Sequence, residues 1–193
     1  MKHSATGLFE VAAGEHTWLG DFIRENVQQI VQEWIGFAET HIPAGEDMTA
    51  LALRDHVEEI LSFIAGDLES PQTRSEQVQK SQGDAPKEGG AHRSVAEVHA
   101  DLRLNDGFDL DQMVSEYRAL RACVVKLWNA RNQDVSRRDF DDLVRFNEAI
   151  DQAIAESINH YTKTLDRSRH LFLGILGHDL RNPYLLNLPS ELA

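Results

Sequence analysis

The stretch SRRDFDDLVRFNEAIDQAIAESINHYTKTLDRSRHLFLGILGHDLR, residues 136–181, decides the fold. It holds no proline, and its apolar residues return at helical spacing rather than alternating. Ser136 followed by Asp139 outlines a capping box with Asp in the usual Glu position, so a helix starts here and nothing stops it before Arg181. At 1.5 Å per residue such a helix is roughly 70 Å long, more than one globular core requires. Its first part, with Phe140, Leu143, Val144, Phe146, Ile150 and Ile154, has the density of a core helix. Its second part thins to a seam: Ile154, Ile158, Tyr161, Leu165, Ser168, Phe172 and Ile175 advance by alternating steps of four and three. That is heptad spacing, and it predicts a parallel homodimeric coiled coil, weak because the run is short and carries Tyr161 and Ser168. The alternative is that the stripe packs onto its own chain.

Outward from this rod the chain stays helical. The prolines are Pro43, Pro71, Pro86, Pro183 and Pro189, which leaves residues 87–182 without a helix breaker. Leu19, Phe22, Ile23, Ile30, Val31, Trp34 and Phe37 make an apolar face on a helix from about Thr17 to His41, stopped by Pro43 and Gly45. A second helix from about Thr49 to Leu68 carries Leu53, Val57, Ile60, Leu61, Ile64 and Leu68, with Asp47 or Thr49 as its cap. Residues 70–90, SPQTRSEQVQKSQGDAPKEGG, hold almost nothing apolar to repay ordering and read as a mobile loop. A shorter helix, about Ala91 to Leu104, presents Val95, Val98 and Leu102 and breaks at Asn105, Asp106 and Gly107. Asp109 caps a fourth helix that runs to about Arg131, with Leu110, Met113, Val114, Tyr117, Leu120, Val124, Leu127 and Trp128 on one face. Residues 1–16 read as a disordered N-terminus, and no strand pattern occurs anywhere. The fold class is therefore all-α.

Composition narrows the function. In 193 residues, 19 Lys and Arg face 32 Asp and Glu, a net charge of −13 that repels phosphate backbones and anionic lipid, so nucleic acid is not the expected partner. The longest apolar stretch, near Leu171 to Leu176, is far short of the roughly 20 residues that span a bilayer. No basic-then-apolar signal pattern opens the chain, and the expected location is the cytoplasm. Cys123 is the single cysteine, so one chain forms neither a disulfide nor a Cys-based zinc site.

The long helix ends in chemistry. FLGILGHDLRNP, residues 172–183, places His178, an acid at Asp179, a base at Arg181, then Asn182 and Pro183 after apolar residues at core spacing. It resembles the phosphoacceptor box of histidine kinases, the signature of their dimerisation and phosphotransfer helix. A neutral imidazole is a good nitrogen nucleophile near pH 7 when one ring nitrogen is free to attack. A neighbouring carboxylate that accepts from the other ring nitrogen fixes the tautomer and stabilises the growing positive charge. The resemblance implies His178 as phosphoacceptor, Asp179 as acid/base partner, Asn182 as the residue positioning water or a phosphoryl oxygen, and Arg181 in support. It also implies ATP-Mg, held by a separate ATP-binding domain, and a response regulator as recipient. Here the pattern departs: the chain continues YLLNLPSELA, residues 184–193, with Tyr184 for the usual aliphatic residue and a helix-breaking Pro189, and no Gly-rich phosphate cradle occurs elsewhere. Residues 163–193 are therefore expected to be a truncated phosphotransfer helix, unable to phosphorylate itself unaided.

Two stretches upstream, GAHRSVAEVHADLRLNDGFDLDQMVSEYRALRACVVKLW (90–128) and RFNEAIDQAIAESINHYT (145–162), resemble the RsbRD-type N-terminal domain, an all-helical input module. The resemblance covers roughly residues 17–162 and implies a globin-like helical bundle without haem. His56, His92 and His99 are the histidines placed to reach a core, but a histidine on an apolar face is more often hydrogen-bonded than a ligand, and no metal or cofactor site is expected. Trp18, Trp34 and Trp128 read as core fillers. Glu116, Tyr117, Arg118 and Arg121 form a polar patch in an apolar helix, either an internal salt-bridge network or a partner surface. The functional expectation is the input portion of a sensor histidine kinase that relays a signal along the long helix to His178. Its alternative is a non-enzymatic module that sequesters a kinase or regulator and keeps a vestigial box.

Overall fold

The computed structural model describes residues 17–41, 50–70, 73–81, 93–132 and 135–180. Those residues form six helices: α1 (Leu19–His41), α2 (Ala50–Glu69), α3 (Arg74–Ser81), α4 (Val95–Asn105), α5 (Leu110–Arg131) and α6 (Arg137–Leu180). No strand occurs among them, and the fold is all-α. The expected N-terminal disorder, the stop signals Pro43 and Gly45, the cap at Asp47 or Thr49, and His92 lie outside the described residues.

α1 packs against α2 and α5, and α4 packs against α6. Leu19, Phe22, Ile30 and Trp34 of α1, Leu61 and Ile64 of α2, Leu120 and Val124 of α5, and Phe146 and Ile150 of α6 share one core. α1 is bent at Asn26, whose backbone leaves helical geometry and whose buried amide donates to the Phe22 carbonyl at 2.7 Å. α2 crosses α1 closely at Gly20, where a Cβ would lie 3.5 Å from the Ala65 carbonyl oxygen and 3.5 Å from the Leu68 Cβ.

α6 fastens the bundle at its start. Ser136 and Asp139 close the expected box, with the Ser136 N–H 2.6 Å from the Asp139 carboxylate and the Asp139 N–H 3.3 Å from the Ser136 hydroxyl. The Arg138 guanidinium stacks on the Trp18 ring at 3.9 Å. Arg145 donates to the carbonyls of Asp67, Leu68 and Ser70, satisfying the acceptors left over at the end of α2.

Four expectations are corrected. Part of the presumed mobile loop at 70–90 is the helix α3, started by Thr73 and Glu76 in reciprocal hydrogen bonds and tied down by Lys80 to Asp67. Phe140 and Val144 are not core: they are 60% and 51% exposed, on the outer side of α6. α4 does not bury Val95, Val98 and Leu102 as its central face; Ala96, His99, Ala100 and Arg103 point inward. The upper part of the heptad stripe is covered by its own chain, because Ile154 packs against the main core and Ile158, Tyr161 and Leu165 pack against α4 and α5. Beyond Leu165 α6 projects from the bundle, and every residue from Asp166 to Gly177 is exposed.

Candidate functional site

α4 is defined at both ends by local chemistry. At its start, Ser94 and Glu97 form a capping box. At its end, the Phe108 N–H reaches the Arg103 carbonyl at 2.9 Å and the Gly107 N–H reaches the Leu104 carbonyl at 3.2 Å. That is the Schellman arrangement, and it favours Gly107, whose φ of 80° most side chains tolerate poorly. The turn buries Phe108 under the Arg103 guanidinium, 5.0 Å from the ring centroid. Asp109 then caps α5, with its carboxylate 2.8 Å from the Gln112 N–H.

These caps aim a set of polar side chains into the bundle. Arg103 Nε donates to Glu116 Oε2 at 2.7 Å, and both residues are buried. His99 Nε2 lies 3.0 Å from the same oxygen, with its ring edge-on to Tyr117 at 5.2 Å. The Glu116 backbone carbonyl accepts from Trp34 Nε1 at 3.0 Å, which brings α1 into the junction. Tyr117 and Ser157 hydroxyls lie 3.0 Å apart, Ser157 donates to the Ala96 carbonyl at 2.9 Å, and the Tyr161 hydroxyl donates to the Phe108 carbonyl at 2.9 Å. Four helices thus meet through hydrogen bonds at one buried point.

The charges there are settled by neighbours. Burial alone raises a carboxyl pKa, but the His99 hydrogen bond and the Arg103 cation more than offset it, and Glu116 lies below the usual glutamate range. Burial holds His99 below the usual histidine range against the pull of Glu116. The junction is therefore a buried Arg103–Glu116 ion pair beside a neutral His99. Burial pushes the Tyr117 phenol up, so it stays protonated and serves as a hydrogen-bond link. Such a constellation is poor in catalytic function and suited to fixing, or changing, how helices pack.

The polar patch foreseen in α5 divides. Glu116 and Tyr117 enter the buried network, Arg118 faces solvent, and Arg121 pairs across the surface with Asp151 of α6. Arg103 escaped sequence reading, since a charged residue on a short helix ordinarily signals solvent. His56 does not join a ligand set, and no group of three or more His, Cys, Asp or Glu side chains among the described residues is placed to hold a metal ion. A shallow apolar groove of about 410 Å³ runs beside Phe37, Ala119 and Cys123. Burial, then the nearby Glu33 carboxylate, pushes the Cys123 thiol up, so it is a poor nucleophile.

The sequence-derived site lies at the far end of α6. His178 and Asp179 fall in its last helical turn, while their side chains, and Arg181 and Asn182 altogether, lie outside the described residues. The turns just before them are exposed and apolar: Leu171, Phe172, Leu173, Ile175 and Leu176 are between 43% and 64% exposed. Among the described residues no helix is long and apolar enough to cross a membrane.

The chain matches the family model of the RsbT co-antagonist protein rsbRD N-terminal domain over residues 28–170. No curated protein and no solved structure matches it. The matched span takes in most of α1, the whole of α2 to α5, the buried junction and α6 as far as His170. The all-helical architecture and the extent of that match agree, and the chain belongs to the family of RsbT co-antagonist protein rsbRD N-terminal domains, a signalling-related module.

Proposed function

We propose that the chain is the input portion of a cytoplasmic two-component sensor histidine kinase, with His178 as its phosphoacceptor. The observation that carries this reading is the continuity of α6. One uninterrupted helix, Arg137–Leu180, is part of the bundle core at Phe146 and Ile150 and holds His178 in its last turn. A change of packing at the buried junction therefore has a rigid path to the box, as a rotation or shift of the projecting segment.

In this reading a kinase domain on another polypeptide segment binds ATP-Mg and presents the γ-phosphate. His178 attacks as the neutral imidazole, forming the N–P bond as the bond to ADP breaks. Asp179 accepts from the other ring nitrogen and stabilises the positive charge. Asn182, four residues further along the box, orients water or a phosphoryl oxygen, with Arg181 in support, and a response regulator receives the phosphoryl group. The chain brings no cofactor of its own, and it works as a homodimer paired through the distal part of α6.

The test supplies an ATP-binding kinase domain in trans with radiolabelled ATP. Label that is acid-labile, alkali-stable and absent from His178→Ala supports the proposal; label that survives acid, or persists in that variant, sinks it. A second reading draws on the family match, whose printed name describes an RsbT co-antagonist. Under it the chain is a non-enzymatic module that binds a kinase or regulator, and His178→Ala leaves that binding and its biological effect intact.

A further inference from the structure

One stripe of α6 has two claimants. Ile158, Tyr161 and Leu165 pack in a small cluster against Ala100 and Leu104 of α4 and Met113 of α5, apart from the main core. In register they continue into Ser168, Phe172 and Ile175, which are exposed. The stripe is covered only as far as α4 and α5 reach.

The exposed part is shaped for a second copy of the same helix. With Ile158, Leu165 and Phe172 at heptad position a, and Tyr161, Ser168 and Ile175 at d, Leu171 falls at g and Leu176 at e. In a parallel pair, g of one helix meets e of its partner five residues on, so Leu171 faces the other copy's Leu176. Four of the five exposed large apolar side chains beyond Leu165 thus converge on one parallel self-interface, with no like charges opposed there.

Much of what holds α4 over the upper stripe is polar, with Val95 and Leu104 only partly buried beside it. The buried apolar side chains of α4 are only Ala96 and Ala100. Ser157 donates to the Ala96 carbonyl, His160 Nε2 lies 2.6 Å from Asp101 Oδ1, and Arg93 pairs with the other Asp101 oxygen. Partly exposed pairs of this kind are weak, and buried Arg103 and Glu116 regain hydration if the helix lifts.

We propose that α4 is a clasp on a latent dimer seam. Docked with the start of α5, it denies Ile158, Tyr161 and Leu165 to a second copy; lifted together with the α4–α5 turn and the first turn of α5, it frees a stripe from Ile158 to Ile175 that pairs in parallel with the same stripe of another chain. This rests on the dimer reading of the distal helix and adds how that dimer is extended and regulated.

The experiment uses the full chain with Cys123→Ser and one seam cysteine, Ile158→Cys or Ser168→Cys, each of which meets its own copy in a parallel pair. The clasp is loosened by Asp101→Lys, which opposes Arg93 and His160 at side chains 27% and 24% exposed for Asp101 and His160, and is restored by adding His160→Glu. Ser168→Cys crosslinks with or without the loosening change. Ile158→Cys crosslinks, and is alkylated by a maleimide, at least tenfold faster with Asp101→Lys, and returns to the slow rate in the double variant. No crosslink at Ser168→Cys in any background overturns the underlying dimer. Equal Ile158→Cys rates in all backgrounds, beside a working Ser168→Cys, overturn the clasp alone.

Discussion

At the scale of single residues, the buried junction turns on what His99 can afford to be. It faces Glu116 on α5, Arg103 on its own helix and His56 on α2, and burial, the largest influence, keeps it neutral. An unfolded histidine titrates at about pH 6.5, whereas folded His99 titrates lower, so below that pH the unfolded chain binds the extra proton. His99 therefore contributes stability that is fully present above about pH 7 and drains away as pH falls through about 6.5 toward the folded value. Glu116, whose pKa is also lowered on folding, contributes in a separate window, losing its share only as pH falls below about 4.3. Urea midpoints at pH 7.5 and 5.5 should differ for the parent and differ less for His99→Gln; an unchanged difference would falsify this assignment. The sequence marked His99 and Glu116 individually but not as a pair. Hydrophobic periodicity has no term for an arginine that is buried because its partner is, and Arg103 was invisible for that reason.

At the scale of elements, the caps were legible and the faces less so. Asp109 and the Ser136/Asp139 box start α5 and α6 where their side chains dictate, because capping depends on a few adjacent atoms. α4 hid its face, since Ala96, His99, Ala100 and Arg103 include no large apolar side chain to count. α3 was missed because its sequence lacks the apolar content that predicts order, while Thr73, Glu76 and the Lys80–Asp67 pair supply local reasons for a helix. Phe140 and Val144 show the opposite failure: they are apolar, but the neighbouring helices stand on another side of α6. The α4–α5 turn offers a direct measurement. Gly107→Ala places a Cβ at φ of 80°, with no neighbouring atom within 4 Å, so its cost is conformational alone. It should lower unfolding free energy by about 1–2 kcal/mol in a urea titration. Gly107→Asn should cost less, because Asn tolerates the left-handed region. Equal losses for both would argue that the turn relaxes out of the Schellman arrangement.

At the scale of the whole molecule, what could not be read is which chain covers which part of α6. Steps of four and three place side chains on one stripe whether the neighbour is α4 of the same chain or α6 of another, so spacing alone leaves that choice open. The structure assigns Ile158, Tyr161 and Leu165 to the chain itself and leaves Phe172 and Ile175 in solvent. If the projecting segment pairs two copies, the double variant Phe172→Glu/Ile175→Glu should sediment as a monomer where the parent shows a concentration-dependent dimer. Because both side chains are more than half exposed and touch no core, its melting temperature at low protein concentration should match the parent's. A variant that dimerises as well as the parent places any interface elsewhere. Salt supplies the mechanism-level check. Each chain carries a net charge of −13, so two copies repel, and at about 0.15 M ionic strength the screening length is about 8 Å. An apolar seam should therefore associate more tightly as salt rises, by screening that repulsion without weakening its own contacts, whereas a dimer built on cross-chain ion pairs should loosen.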